Sequence, residues 1–156
     1  MHWFWVITIN LFAVMILVPV SVRPSSRHGL GLHVEIDIPK GHLLWRFDVN
    51  VDHRIEIAAS VHWQRRSELL HWGYVNPNMP NIVVVCGDSS RFWNFSSDDE
   101  LPNAVISHQL YCGEHLILAA RNIAAGEELL IAPDSDHDYA RKMQKVSVGG
   151  LQAAPL

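Results

Sequence analysis

Most hydrophobic residues of this chain fall in short runs that are rich in β-branched side chains. The clearest runs are 82–86 (IVVVC), 104–110 (AVISHQL) and 115–121 (HLILAAR), and turn-forming Gly, Ser and Asp residues separate them. Short runs bounded by turn formers are typical of β-strands. We therefore predict that the second half of the chain is built mainly from short strands.

An alternating segment in the first half predicts a hairpin. Residues 30–38 (LGLHVEIDI) alternate between apolar and polar positions, and a Pro-Lys-Gly turn follows at 39–41. The apolar segment 42–49 (HLLWRFDV) comes next, so we expect it to be the hairpin partner of the first segment. Upstream of this hairpin, residues 16–22 are predicted to form the first core strand.

One stretch has the periodicity of a helix. Between residues 56 and 74, apolar side chains recur at helical spacing, and Val61, Leu69 and Trp72 define one face. The tail at 135–156 contains a helix-compatible segment, DHDYARKMQKV, and then a stretch with too few order-promoting residues to predict structure. The predicted class is mainly β with one helical insert.

Length and charge narrow the function classes. The chain has 156 residues and a net charge of −4, and this length suffices for one domain with a substantial core. No predicted element carries a run of Lys and Arg, so the basic surface of a nucleic-acid-binding protein is missing. A basic peptide is a more natural partner than a nucleic acid.

The spacing of cysteines and histidines predicts neither disulfides nor a metal site. Cys86 and Cys112 are far apart and form no CxxC motif, which argues against a cysteine zinc site and favours a reducing, cytoplasmic setting. The ten histidines are spread over many segments and form no HxxxH or HExxH pair. We predict no bound metal.

The N-terminal apolar segment has two interpretations. The residues from Trp3 to Val20 carry no charged side chain and are about as many as the roughly 20 that a membrane-spanning helix needs. Against an anchor, no Lys or Arg precedes the segment, no cleavage site follows, and Asn10 and Pro19 interrupt it. We expect residues 1–14 to be an extension before a domain at 15–134, with a membrane anchor as the alternative.

Three short motifs carry the candidate chemistry. They are HGLG at 28–31, RFWNFSSDDELPNA at 91–104 and RNIAAGEELL at 121–130. Taken alone, each has an ordinary explanation as a glycine turn, a polar loop or a hairpin. Their order and spacing, together with the IPKG turn at 38–41, resemble those of SET-domain protein lysine methyltransferases, in particular small bacterial stand-alone members.

The resemblance covers residues 15–134 and implies a β-clip or SET fold, in which small curved sheets surround a pseudoknot and one helical insert. It also implies a binding site for S-adenosylmethionine in the first two motifs. The residues matched to that site are Gly29, Leu30, Gly31, Arg91, Phe92, Asn94 and Phe95. Phe95 replaces the family's histidine, so it keeps a backbone contact and a ring for stacking but loses the imidazole hydrogen bond.

The implied activity is methyl transfer from S-adenosylmethionine to a lysine of a protein or peptide. Pro133 stands at the position of the family's catalytic tyrosine, so no catalytic residue is assigned and the activity is expected to be weak. Two other phenols are close in sequence: Tyr74 is interpreted as a channel residue or as packing of the insert, and Tyr139 as a surface residue. The alternative function is a non-catalytic SET module that binds the cofactor or a lysine-bearing peptide.

Overall fold

The structure, a computed structural model, describes residues 16–57, 63–76, 78–97, 99–133 and 136, with only the backbone for 63–67. The predicted extension at 1–14 and the predicted tail helix with Tyr139 lie outside these residues. Within the described part, the chain forms ten strands, one α-helix and a short 3₁₀ helix. The predicted mainly β class with one helical insert is confirmed.

The strands form three small sheets. In chain order the elements are β1 (Val20–Pro24), β2 (Leu30–Val34), β3 (Leu43–Trp45), β4 (His53–Glu56), α1 (Trp63–Trp72), β5 (Gly73–Val75), β6 (Ile82–Val85), the 3₁₀ helix (Ser89–Phe92), β7 (Asn94–Phe95), β8 (Ala104–Tyr111), β9 (Glu114–Ala119) and β10 (Leu130–Ile131). β1 pairs with β2, a second sheet has the order β4-β6-β5, and the largest has the order β3-β9-β8-β10-β7.

The short strand β10 lies between β7 and β8 and pairs in parallel with both. The buried side chain of Asn103 holds it there. Its Oδ1 accepts a hydrogen bond from the Leu130 N–H at 2.8 Å, and its Nδ2 donates to the Glu128 carbonyl oxygen at 2.7 Å. These bonds satisfy buried backbone groups that a two-residue strand would leave unpaired. The third motif is thereby fixed beside the second.

The N-terminal segment belongs to the domain core from Ile16 onwards. Ile16 and Val18 are buried, and Ile16 forms an isolated bridge with Trp45. The predicted strand at 16–22 begins too early, because β1 starts only at Val20, directly after Pro19, which has no N–H for a strand ladder. Among the described residues, no helix is long and apolar enough to cross a membrane.

The partner predicted for segment 42–49 is wrong. β3 pairs with β9, where Trp45 lies opposite Ile117, while β2 pairs with β1. The chain has already left β2 before the turn, since Ile38 bridges Ile123. Alternation along a strand identifies its two faces but not its neighbour in the sheet, which explains the error.

The helix α1 runs directly into β5. It is shorter than the predicted stretch of 56–74, because residues 73–75 are already extended. Gly73 makes this junction possible, since a Cβ there would lie 2.4 Å from a Val83 methyl group and 2.6 Å from the Val84 carbonyl oxygen. The junction places the ring of Tyr74 edge-on to that of Trp45 in β3.

Candidate functional site

The three motifs meet at the side chain of Asn94, the first residue of β7. Its Nδ2 lies 3.1 Å from the Leu30 carbonyl oxygen and 3.3 Å from that of His28, and it donates to Glu128 Oε1 at 2.7 Å. We call this convergence the Asn94 junction. The predicted cofactor residues that it brings together are Gly29, Leu30, Gly31 and Asn94.

Two glycines shape the bend at the junction for different reasons. Gly29 has a φ of +51° with open space around its Cα, so its contribution is the left-handed backbone conformation. Gly31 has no room for a side chain, because a Cβ there would lie 1.9 Å from Glu128 Oε1 and 2.9 Å from Asn94 Nδ2. The close approach of Glu128 therefore requires glycine at position 31.

Glu128 orients the amide of Asn94. Its Oε2 accepts a hydrogen bond from Ser25 Oγ at 3.0 Å, and its Oε1 accepts from Asn94 Nδ2. Because a carboxylate only accepts, it fixes the NH₂ end of the amide toward the protein. Asn94 Oδ1 takes no hydrogen bond from the described part of the chain, so this oxygen is left as an acceptor for another group.

The remaining predicted cofactor residues lie elsewhere. The guanidinium of Arg91 donates to the carbonyl oxygens of Asp88 and Gly87, each at 3.0 Å. Phe92 is half-buried and packs against the main core. Phe95 pairs with Ile131 in β10 and lines a cavity, as Arg91 also does. The structure thus places Arg91 and Phe95 at the cavity and Phe92 against the core, and no hydrogen bond joins the three side chains to the HGLG bend in the described residues.

The cavity has a volume of about 160 Å³ and walls that are mainly apolar. Five Trp, Tyr and Phe residues line it: Trp45, Trp72, Tyr74, Trp93 and Phe95. We call this space the aromatic cavity. The rings of Trp45 and Tyr74 are nearly perpendicular, at 83°, with centroids 6.1 Å apart, which is a favourable geometry for an aromatic pair.

One wall of the aromatic cavity is built around a fully buried carboxylate, Glu114 at the start of β9. Its Oε1 accepts from Arg54 Nε at 2.9 Å, and its Oε2 accepts from Tyr74 Oη at 2.9 Å and Asn76 Nδ2 at 2.8 Å. A buried carboxylate is costly unless it is paired and hydrogen-bonded, as it is here. Glu114 therefore ties β9 to β4 and β5.

Other polar groups of this wall are also engaged. Asn76 Oδ1 accepts from the Asn78 N–H at 2.9 Å. The two ring nitrogens of His115 lie 3.0 Å from Asn78 Nδ2 and 2.7 Å from the Ser107 carbonyl oxygen. Among the described residues, two buried lining atoms have no partner, the indole Nε1 of Trp45 and of Trp93, and both are donors.

Tyr74 keeps its phenolic proton. Burial raises the pKa of the Tyr74 hydroxyl well above its ordinary value of 10.0, and the negative charge of Glu114 raises it further. Because the proton is donated to Glu114, the phenol oxygen keeps its lone pairs as acceptors. The interpretation of Tyr74 as a cavity residue is the one that its position supports.

Pro133 lies two residues after the end of β10 and is half-buried. The buried residue Asp136 comes shortly after, lines the aromatic cavity, and accepts a hydrogen bond from the Val75 N–H at 3.1 Å through Oδ1. The match of Pro133 to the family's catalytic tyrosine stays a prediction from the third motif. In the described part of the chain, the phenol that lines the cavity is that of Tyr74.

Sequence reasoning did not identify Glu114. It lies after a tight turn in which Cys112 and Gly113 have φ angles of 50° and 83°, and it begins an apolar strand. A charged residue at a strand start is ordinarily solvated, so the pattern alone gives no reason to expect full burial. The partners that bury it, Arg54 and Tyr74, are distant in sequence.

Solved structures with a similar fold include two chains of Polycomb Repressive Complex 2. A chain of a humanised mutant Polycomb Repressive Complex 2 of Chaetomium thermophilum, bound to an inhibitor, is 22% identical with a TM-score of 0.57 over 80% of this chain. A chain of the same organism's complex in an autoinhibited conformation, bound to S-adenosylmethionine, is 20% identical with a TM-score of 0.57 over 83%. The chain has the SET fold.

A third similar structure is a Plasmodium falciparum protein whose description as a histone methyltransferase is itself provisional. It is 20% identical with a TM-score of 0.51, and the match covers 75% of this chain and 94% of that one. By contrast, this chain spans 16% and 17% of the two Polycomb chains. No protein-family model matches the sequence, and no curated protein matches it. These similarities show the SET fold but not an activity, which depends on the residues of the site.

Proposed function

We propose that this protein binds S-adenosylmethionine at the Asn94 junction and transfers its methyl group slowly to a lysine amine in the aromatic cavity. The observation that carries the proposal is the position of β7. Consecutive side chains of a strand point to opposite faces, so Asn94 faces the HGLG bend while the ring of Phe95 lines the cavity. A site for a methyl donor and a site for an amine share this strand as a common wall.

The Asn94 junction fits the ammonium end of the cofactor. Asn94 Oδ1 is an acceptor whose orientation Glu128 fixes, and the glycine backbone at Gly29 and Gly31 permits close approach of a ligand. When bound, S-adenosylmethionine supplies a methyl group on a positively charged sulfonium. Phe95 contributes its backbone to this site, while its ring and the side chain of Arg91 belong to the aromatic cavity.

The aromatic cavity fits a lysine side chain. Methyl transfer needs a neutral amine, and the lysine amine has an ordinary pKa of about 10.4. An apolar cavity close to a positive sulfonium lowers the pKa of an amine by desolvation and charge repulsion. The phenol oxygen of Tyr74 can accept one N–H of the amine and so restrict its orientation.

The position of β10 supports the predicted pseudoknot and the role of the third motif in both sites. It lies between β7 and β8, which are separated by the loop that contains Pro102 and Asn103. A strand inserted in this way is what the predicted pseudoknot requires, although most folds avoid threaded chains. It places Ile131 in the cavity wall and Glu128 at the Asn94 junction, so the third motif contributes to both sites.

Calorimetric titration of the full chain with S-adenosylmethionine tests the donor site. We expect saturable binding that is about tenfold to a hundredfold weaker in Asn94→Ala, because a hydrogen bond to a charged group contributes about 1.5–3 kcal/mol. The matched control is Asn122→Ala, an exposed asparagine that accepts a hydrogen bond from the Lys40 N–H. Absence of heat at millimolar ligand in the unmodified chain would contradict the proposal.

Transfer is tested with labelled S-adenosylmethionine and a lysine-rich basic protein as acceptor. We expect a slow rate that rises in Pro133→Tyr, because a group that positions the reacting atoms is worth about a hundredfold to a thousandfold in comparable sites. Pro133→Phe is the control, since it adds a ring of similar size without the hydroxyl. If Pro133→Tyr transfers the methyl group and the unmodified chain does not, the unmodified chain has the alternative, non-catalytic function.

The alternative function is a SET module that binds its ligands without methyl transfer. The observation that favours it is the half-buried Pro133 at the position predicted for the phenol. In this case the Asn94 junction still binds S-adenosylmethionine, and the Asn94→Ala effect on binding persists while no label appears in any lysine-bearing protein. The two functions therefore differ in the transfer measurement and agree in the binding measurement.

A further inference from the structure

Several side-chain acceptors that line the aromatic cavity are already engaged in hydrogen bonds. Glu114 already accepts three hydrogen bonds, the side chain of Asn76 is engaged at both ends, and so are both ring nitrogens of His115. Asp136 accepts from the backbone N–H of Val75. Among the described lining residues, the buried side-chain atoms without a partner are the indole nitrogens of Trp45 and Trp93, which are donors.

Because these acceptors are engaged, we expect the cavity to accommodate a lysine ammonium better when it has fewer N–H groups. An unmodified ammonium carries three N–H donors. Each donor that enters the cavity without finding an acceptor loses its hydrogen bond to water, which costs free energy. Methylation exchanges N–H groups for methyl groups, which need no acceptor and keep the positive charge. The phenol oxygen of Tyr74 remains for a single N–H of a partly methylated amine.

The walls of the cavity suit a methylated cation. Aromatic faces attract cations, and rings set at steep angles to each other form the cages that recognise methylated ammonium groups. Trp45 and Tyr74, which both line the cavity, meet at 83°. The volume of about 160 Å³ is close to that of an engineered cavity, about 150 Å³, that holds benzene. Such a space fits a methylated ammonium and the end of its side chain.

We propose that the aromatic cavity is a binding site for methylated lysine and prefers it to unmodified lysine. This inference rests on the proposed function in one respect, since it takes the same cavity as the lysine site. It does not require methyl transfer or a bound cofactor. A methylated lysine would bind whether it is a product made here or a mark already present on a partner protein.

The experiment is a titration of the full chain, without cofactor, with Nα-acetyl-lysine N-methylamide carrying zero, one, two or three methyl groups on Nζ. Single-residue ligands remove the contribution of an unknown peptide sequence. Two-dimensional NMR of the tryptophan indole N–H resonances reports binding at millimolar affinity. We expect the best methylated form to bind about tenfold more tightly than the unmodified form.

A neutral ligand separates cation recognition from apolar burial. In this ligand a tert-butyl carbon replaces the trimethylated nitrogen, so its shape is kept and its charge is lost. We expect it to bind several-fold more weakly than the trimethylated form. Equal affinity of the charged and neutral ligands would overturn the assignment of the cavity to a methylated ammonium.

The variant is Trp72→Ala, which removes a cavity wall that is 47% exposed and so leaves the core intact. Its matched control is Tyr111→Ala, an aromatic residue that is 43% exposed and lies outside the cavity. We expect the first variant to lose most of the preference for methylated ligand and the second to keep it. Equal loss in both variants would overturn the proposal.

Failure of this inference and failure of the proposed function give different results. Preference for methylated ligand without S-adenosylmethionine binding refutes the donor site and supports the inference. Binding and transfer from S-adenosylmethionine with equal or undetectable binding of all four lysine forms refutes the inference and supports the transferase. The NMR titration and the calorimetric titration are therefore both performed on the same preparation.

Discussion

At the scale of single residues, the missing Cβ of Gly31 allows three distant motifs to share one contact. Glu128 reaches over this glycine to hold the NH₂ end of Asn94, and Ser25 holds the other oxygen of the carboxylate. Each of these side chains has an ordinary role elsewhere in proteins. Their combination turns an asparagine into an acceptor with a defined direction.

Gly31→Ala is expected to displace Glu128 from Asn94, because the new Cβ would lie 1.9 Å from the carboxylate oxygen. Overpacking of this kind costs about 1–3 kcal/mol, which urea denaturation measures. Affinity for S-adenosylmethionine is expected to fall about tenfold or more, as measured by calorimetry.

Gly41→Ala is the control for Gly31→Ala. Gly41 has a φ of +82° and open space around its Cα, so the substitution adds backbone strain of about 1–2 kcal/mol without a collision. It lies away from the Asn94 junction, and cofactor affinity is expected to be unchanged. If Gly31→Ala binds the cofactor as well as Gly41→Ala does, Glu128 does not orient Asn94.

At the scale of elements, β10 depends on one side chain from the neighbouring loop. Asn103→Ala removes the partners of the Leu130 N–H, which is buried, and of the Glu128 carbonyl, which is partly buried. Because each unsatisfied buried group costs about 1–3 kcal/mol, we expect a loss of about 2–4 kcal/mol in the free energy of unfolding. Urea denaturation monitored by circular dichroism measures this loss.

The exposed Asn122 provides the comparison for Asn103, since its Oδ1 accepts one backbone hydrogen bond at the surface. We expect Asn122→Ala to change the free energy of unfolding by about 0.5 kcal/mol or less. A similar cost for both alanine variants would show that the insertion of β10 does not depend on the Asn103 amide.

A second element-scale prediction concerns the link between β4 and the end of β6. The buried Asp52 accepts hydrogen bonds from the Asp48 and Gly87 N–H groups, and burial raises its pKa to about 6 despite them, with a further contribution from the charge of Asp88. The folded state therefore binds more protons at Asp52 than the unfolded state between about pH 4 and 6. The stability contributed by Asp52 falls as the pH rises through this window.

The stability difference between the unmodified chain and Asp52→Asn is expected to depend on pH. At pH 4.5 the unmodified chain gains about 2 kcal/mol relative to the variant compared with pH 7.5, because one pKa unit corresponds to about 1.4 kcal/mol. Urea denaturation of both proteins at the two pH values gives the comparison. A constant difference would place the folded-state pKa of Asp52 near its ordinary value.

At the scale of the whole molecule, the parts of the fold that could be predicted from the sequence are those that depend on local patterns. The helical insert, the runs that became β6, β8 and β9, and the order of the three motifs followed from periodicity and composition. The partner of β3 did not follow from the sequence, because an apolar residue such as Trp45 can lie opposite any apolar strand. Glu114 was missed for the same reason, since its burial depends on Arg54 and Tyr74 from other sheets.

The candidate site also has residues that the motifs predicted and residues whose positions they did not predict. Asn94 and Gly31 were identified because a motif names them, and the structure brings them together. Arg91, Phe92 and Phe95 share that motif, but the alternation of side chains along β7 and the 3₁₀ helix before it turn them toward the cavity and the core. Adjacent residues of one motif can therefore face two different parts of the fold, which spacing alone does not reveal.

The insertion of β10 between β7 and β8 also has a consequence for how the protein is made. The slot for Leu130 and Ile131 is flanked by strands that leave the ribosome earlier, yet neither strand has its full set of neighbours until these two residues arrive. Pairings between residues this far apart in sequence form late and slowly. During synthesis the central sheet must therefore stay open until Leu130 and Ile131 have emerged.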